Sequence, residues 1–104
     1  MPKRSVTAPI HPGEILIEEF MRPAGISING LALALRVPAT RISAIVNETR
    51  SITADTALRL SRYFSTSGEF WMNLQRDYDL RMAANESRTR IEHDVQPRAA
   101  SLRV

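Results

Sequence analysis

The 104-residue sequence contains no cysteine, which excludes a disulfide framework and a thiolate metal site. It has only two histidines, His11 and His93, and neither has a partner at the i+4 spacing of a helical metal-binding pair. His11 precedes a proline and is interpreted as a turn or cap residue rather than a base. No glycine-rich phosphate loop and no nucleophile motif occurs. We therefore expect no metal, no cofactor and no enzymatic activity.

Long apolar stretches are also missing from the sequence. No run of apolar residues is long enough to cross a bilayer, and residues 1–14 lack the apolar segment of a signal peptide. These absences predict a cytoplasmic protein that makes no membrane contact. With 43% hydrophobic residues, a chain of this length is expected to form one domain with a modest core.

Lysine is scarce, since thirteen of the fourteen basic residues are arginine. The formal net charge is +3 and the calculated pI is about 10.2. The guanidinium fork matches phosphate groups and guanine edges better than an ammonium group does. A moderate basic excess does not by itself identify a partner, but together with a helix-turn-helix it favours nucleic acid.

Residues 27–47 predict two short helices joined by a tight turn. Ser27 is suited to cap the first helix, Pro38 to occupy the first position of the second, and Asn47 to form its left-handed C-cap. Apolar residues at i, i+3 and i+4 form one face of each helix: Leu31, Ala32 and Leu35, then Ile42, Ile45 and Val46. So short a turn sets the two helices at a steep angle, as in a helix-turn-helix.

The second of these helices is predicted to present small, polar or cationic side chains outward, which suits a helix in the DNA major groove. These residues are Ala39, Thr40, Arg41, Ser43, Ala44 and Asn47. Arg41 is the one long cation among them, and we expect it to contact a guanine, or alternatively a phosphate. Paired amphipathic helices also occur in α-domains that never meet DNA, so this pattern alone leaves both interpretations open.

Three further helices are predicted around this pair. The first covers residues 11–22 and ends before Pro23, because the residue before a proline is disfavoured in helical geometry. Another covers residues 53–64, with Thr53 as cap. Its predicted inward residues are Ala54, Ala57, Leu58 and Phe64. The last covers about residues 67–85.

The domain organisation follows from these helices. Residues 1–10 are predicted to form a flexible N-terminal arm, and residues 11–85 an all-α domain of five helices. Residues 86–104 lose the helical periodicity and contain Pro97, so we expect a partly disordered C-terminal extension.

The last helix carries a concentration of aromatic residues that the rest of the sequence lacks. Phe70, Trp71, Leu74 and Tyr78 lie on or beside one stripe of this helix. One interpretation assigns the stripe to the core. The other assigns it to a homodimer interface, because so small a domain has little room to bury it all.

Three segments together resemble the HigA antitoxins, which belong to the larger repressor family with phage-repressor-like helix-turn-helix domains. They are HPGEILIEEF (11–20), LALALRVPATRISAIVNETRSITADTALRLSRYF (31–64) and SGEFWMNLQRDYDL (67–80). The resemblance implies a nucleoid-associated homodimer that represses its own operon at an inverted-repeat operator. It also implies a HigB-like toxin partner, an mRNA endonuclease resembling RelE. The alternatives are a stand-alone transcription regulator and an interaction module that has lost DNA binding.

The resemblance also implies which residues contact DNA. They are Ser27 and Asn29 at the start of the first helix of the pair, Arg36 in the turn, Pro38, Ala39, Thr40, Arg41, Ser43, Ala44 and Asn47 around the second helix, and Thr49 and Arg50 in the next loop. Two positions depart from the family pattern. Ile28 stands where glutamine is frequent, and Arg36 replaces the usual turn glycine.

Overall fold

The computed structural model describes residues 8–99, which form five helices and, within that range, no strand. Helix α1 is continuous through the segments Pro12–Ile15, Leu16–Met21 and Arg22–Ala24, and it is followed by α2 (Ile28–Leu35), α3 (Ala39–Val46), α4 (Ala54–Phe64) and α5 (Gly68–Asp94). The prediction of an all-α, five-helix domain is confirmed. None of these helices is long and apolar enough to span a membrane.

The C-terminal half of α1 differs from the prediction. Arg22 keeps helical geometry (φ −62°, ψ −46°), and the helix continues through Pro23 to Ala24. The prediction that Pro23 ends the helix is therefore wrong. Leu16–Met21 form a π-helical segment, in which the Arg22 N–H bonds to the Ile17 carbonyl. Because this wider turn shifts the hydrogen-bond register, the proline ring does not face the tight i−4 turn that normally excludes it.

Helices α1 to α4 each end at a residue in the left-handed region, although only the first of these residues is glycine. The residues are Gly25, Arg36, Glu48 and Ser65, with φ between 58° and 67°. In each case the following N–H bonds a carbonyl five residues back, as from Thr49 to Ala44 (2.9 Å), which satisfies the helix end. The predicted left-handed cap at Asn47 is wrong (φ −84°), because Asn47 still donates to the Ser43 carbonyl and the reversal falls on Glu48.

The hydrophobic core lies where the five helices meet, with Trp71 of α5 fully buried against Phe20 of α1 (ring centroids 4.9 Å apart). The remaining core residues are Leu16, Met21, Leu31, Ala32, Leu35, Ile42, Ile45, Ile52, Ala57 and Leu60. The prediction for α4 is partly wrong, since Ala54 is exposed and Leu58 is 64% exposed. Thr56 and Leu60 face inward instead, because α4 is rotated so that the Thr56 hydroxyl meets α3.

Helix α5 runs to Asp94 rather than to about residue 85. Residues 86–94 contain no proline or glycine to stop it, and the chain leaves the helix at Val95, before Pro97. Only Trp71 and Gln75 of this helix are buried, so its C-terminal half projects from the domain. Most of the predicted N-terminal arm, residues 1–7, and residues 100–104 lie outside the described part of the chain.

A close contact between α1 and α3 depends on Gly13. A Cβ atom placed on Gly13 would lie 1.9 Å from the Ile45 carbonyl oxygen. We expect Gly13→Ala to lower the free energy of unfolding by about 1–3 kcal/mol or more, because backbone must move to relieve the overlap. Gly68→Ala is the control, since its Cβ would meet only the end of the exposed Leu58 side chain at 3.3 Å. Urea denaturation of both variants checks this, and equal stability would contradict it.

Candidate nucleic-acid interface

Helices α2 and α3 and the turn between them have the geometry of a helix-turn-helix. The Ser27 hydroxyl accepts from the Gly30 N–H (2.9 Å), which confirms the predicted cap of α2. Arg36 takes the left-handed conformation (φ 61°, ψ 47°) that reverses the chain after α2. Pro38 is the N-cap of α3 rather than its first residue, since its ψ of 145° is extended and the helix begins at Ala39.

The structure brings most of the predicted contact residues onto one surface. A shallow groove between the start of α2 and the N-terminal half of α3 is lined by Ser27, Ile28, Asn29, Ala39, Thr40 and Ser43. Ala44 and Asn47 continue along α3 and are at least partly exposed. We call this surface, from Ser27 and Asn29 to Asn47, the α3 face. Its side chains are short, so another helix-sized groove could approach closely.

Arg41 does not project from the α3 face as the sequence predicted. Its Nη1 atom donates to Asp55 Oδ2 (2.9 Å) and to Thr56 Oγ1 (3.4 Å), and only 25% of the side chain is exposed. The reason is positional, because Arg41 lies in the first turn of α3, within reach of the anion in the first turn of α4. The sequence prediction treated Arg41 as a free cation and missed this partner.

Asp55 connects the ends of three helices. Besides Arg41 of α3, its Oδ2 accepts from Arg59 Nε (2.8 Å), and Arg59 Nη1 donates to the Leu35 carbonyl at the end of α2 (2.9 Å). Hydrogen bonds from Arg59 and then Arg41 hold the pKa of the Asp55 carboxyl below its ordinary value. The carboxylate is therefore ionised at neutral pH. We call Arg41, Asp55, Arg59 and the Leu35 carbonyl the Asp55 network.

The loop between α3 and α4 is held by α5. The buried Gln75 side chain accepts from the Ile52 N–H (2.7 Å), and its amide donates to Asp79 (2.9 Å). At the other end of the loop, the Thr49 hydroxyl donates to the Ala44 carbonyl (3.2 Å). This anchoring leaves the Arg50 side chain exposed. Gln75 was missed from the sequence, although a polar residue beside an apolar stripe was the signal that could have found it.

His11 supports the same loop from α1. Its Nδ1 atom accepts from the Gly13 N–H (2.9 Å), which confirms the interpretation as a cap. The ring packs edge-on against Tyr78 of α5 at 4.8 Å and hydrogen-bonds the Arg50 backbone. Burial lowers the pKa of the imidazole, against the opposing effect of Glu48 and Asp79. The ring is therefore neutral at pH 7, as its role as an acceptor requires.

The residues predicted for a dimer interface have different environments. Trp71 is fully buried within the single chain and donates to the Thr66 hydroxyl (2.8 Å), so it stabilises the domain and offers no surface. Phe70 is partly exposed, and Leu74 and Tyr78 are half-buried. Further along α5, Leu80 (63% exposed) and Ile91 (49%) belong to an apolar surface that the sequence analysis did not identify.

The sequence pattern of the helix-turn-helix family matches residues 17–71, which include α2 and α3. The solved structure described as the Pseudomonas aeruginosa antitoxin HigA with higBA promoter is 50% identical, with a TM-score of 0.84, over 88% of this chain and 99% of that one. An addiction module antidote protein of a HigA family from Coxiella burnetii is 53% identical, with a TM-score of 0.83, over 88% and 99% of the two chains. The chain belongs to the HigA family. Another member of this family group by sequence, virulence-associated protein I of Dichelobacter nodosus, is 54% identical over 77% of this chain and 74% of its own length.

Arg36 has two properties that a glycine would separate, its left-handed backbone and its exposed positive charge. A non-glycine residue in this conformation is strained, so we expect Arg36→Gly to raise the free energy of unfolding by about 1 kcal/mol. Ser65→Gly is the matched control, since Ser65 has the same conformation (φ 58°) but no charge. We expect both variants to be stabilised, and only Arg36→Gly to bind DNA more weakly at low salt.

Thermal or urea denaturation and fluorescence anisotropy with duplex DNA measure the two effects. An Arg36→Gly variant that keeps full DNA affinity at all salt concentrations would exclude a phosphate contact at this position.

Proposed function

We propose that this HigA-family protein is a DNA-binding antitoxin that represses its own operon. The observation that carries the proposal is the α3 face, which gathers short polar and methyl-bearing side chains on an exposed helix beside an arginine-bearing loop. The relative crystallised with its higBA promoter, 50% identical over most of the chain, supports the same mode of action. The net charge of +3 favours association with the anionic backbone.

In this proposal α3 lies in the major groove and the flanking elements contact the backbone. Thr40 and Ala44 present methyl groups suited to thymine, and Ser43 and Asn47 present hydrogen-bonding groups suited to base edges. Ser27 and Asn29 at the N-terminus of α2 and Thr49 in the loop are positioned for phosphates, since helix N-termini and hydroxyls are frequent phosphate ligands. Arg36 and Arg50 supply positive charge on either side of the α3 face.

Residue Ile28 does not weaken this proposal. Its side chain is partly buried and packs against the core, so it occupies the wall of the groove rather than its rim. Asn29, the next residue, is exposed and offers the polar group that Ile28 lacks. This arrangement favours retained DNA binding over an interaction module that has lost it.

We further propose a homodimer on an inverted-repeat operator. The surface offered by α5 includes Phe70, Leu74 and Tyr78 and extends to Leu80 and Ile91, where large apolar side chains are exposed. Monomeric soluble domains seldom expose such stripes without a partner. Two-fold symmetry then places the two recognition helices about 34–36 Å apart, or a multiple of that, on one side of the duplex.

As an antitoxin, the protein neutralises a HigB/RelE-like mRNA endonuclease and is itself the non-catalytic half of the pair. The relative from Coxiella burnetii, described as an addiction module antidote protein, supports this assignment. The alternative is a stand-alone transcription regulator, whose DNA-binding surface would be the same. Co-expression with the product of the adjacent small basic gene decides between them: growth arrest that this protein relieves identifies an antitoxin.

The test of DNA binding compares the gene's own promoter with a scrambled duplex at several salt concentrations, using fluorescence anisotropy. We expect the wild type to prefer the promoter by about 10³-fold or more. Arg50→Ala should weaken binding to both duplexes alike and reduce the slope of log K against log salt by about 0.9. Equal affinity of the wild type for promoter and scrambled DNA would contradict the proposed function.

A further inference from the structure

The Asp55 network lies directly behind the α3 face. Arg41 belongs to the same turn of α3 as Thr40, but its guanidinium is directed at α4, where Asp55 and Thr56 bind it. Arg59 binds the same carboxylate oxygen and the last carbonyl of α2. The network therefore joins the end of α2, the start of α3 and the start of α4.

Ionic bonds at these three points constrain the orientation of α3. The turn between α2 and α3 contains only Arg36, Val37 and Pro38, and the first of these is in a strained backbone conformation. A short strained turn limits how far the helices can separate, but it does not fix the rotation of α3 about its own axis. A guanidinium held by Asp55 and Thr56 does fix that rotation, because it ties one side of the first turn of α3 to α4.

We infer that Arg41 is a positioning residue for DNA recognition, acting through Asp55, and that it does not itself contact a base. The inference rests on the proposed function and assigns base contacts to the short side chains Thr40, Ser43, Ala44 and Asn47. A guanidinium that contacted guanine from this site would have to leave Asp55. Because 75% of its side chain is buried between α3 and α4, it would also have to leave that packing.

Simple charge arguments and positioning predict opposite results for Asp55→Asn. This substitution removes a negative charge near the proposed DNA surface, so electrostatics alone predicts tighter binding to every duplex. Positioning predicts weaker binding to the operator, because the neutral amide no longer holds two guanidinium groups. The expected loss is about threefold or more, which is modest because the ion pair is partly exposed to solvent.

The experiment measures operator affinity by fluorescence anisotropy for the full chain, with each base pair of a half-site replaced in turn. The variants are Arg41→Ala, Arg41→Lys, Asp55→Asn and the double variant Arg41→Ala/Asp55→Asn. Arg62→Ala controls for the loss of one positive charge, since Arg62 is on α4 and makes no ion pair within residues 8–99. Asp94→Asn, at the far end of α5, controls for the loss of one negative charge.

We expect Arg41→Ala and Asp55→Asn each to weaken operator binding, and the double variant to be no weaker than Arg41→Ala. The order of preference among the altered half-sites should stay as in the wild type, and Arg41→Lys should restore part of the affinity. Two results would overturn the inference: tighter operator binding by Asp55→Asn, or loss of preference at one base pair in Arg41→Ala. Far-ultraviolet circular dichroism at the assay temperature confirms that each variant is folded.

Failure of the inference is distinguishable from failure of the proposed function. If the wild type shows no preference for its promoter, the function is wrong and the variants are not informative about DNA. If the wild type does prefer its promoter and only the pattern among the variants differs, the function stands and Arg41 contacts DNA directly.

Discussion

One carboxylate, that of Asp55, holds the helix-turn-helix together on the side opposite its exposed face. It accepts hydrogen bonds from Arg41 of α3 and Arg59 of α4, and Arg59 in turn reaches the end of α2. Charge-assisted hydrogen bonds of this kind fix direction as well as distance. The polar side chains of the α3 face can be short because the helix that carries them is held in place by other residues.

A second set of contacts supports the opposite end of α3. Gly13 allows α1 to approach the Ile45 carbonyl, His11 packs between the loop and Tyr78, and Gln75 binds the Ile52 N–H. These contacts join the arginine-bearing loop to α5, the helix proposed to form the dimer. The two ends of α3 are thus anchored to different partners, its start to α4 and its end to α1 and α5.

Local features of the sequence predicted most of the fold, because they depend on neighbouring residues. Ser27, Thr53 and Ser67 cap helices as expected, since each hydroxyl accepts from an N–H three residues later. Features that depend on distant residues were missed. The pairing of Arg41 with Asp55 spans 14 positions, and the Ile52–Gln75 bond spans 23. The Pro23 helix end failed for a different reason, namely a π-helical turn that local rules do not anticipate.

The most direct test of this account is a crystal structure of the protein bound to its own operator. The account predicts that Arg41 remains within hydrogen-bond distance of Asp55 in the complex. It also predicts that only the short side chains of α3 meet base edges, while Arg50 contacts a phosphate. An Arg41 guanidinium found on the O6 and N7 atoms of a guanine, with Asp55 bound by Arg59 alone, would contradict it.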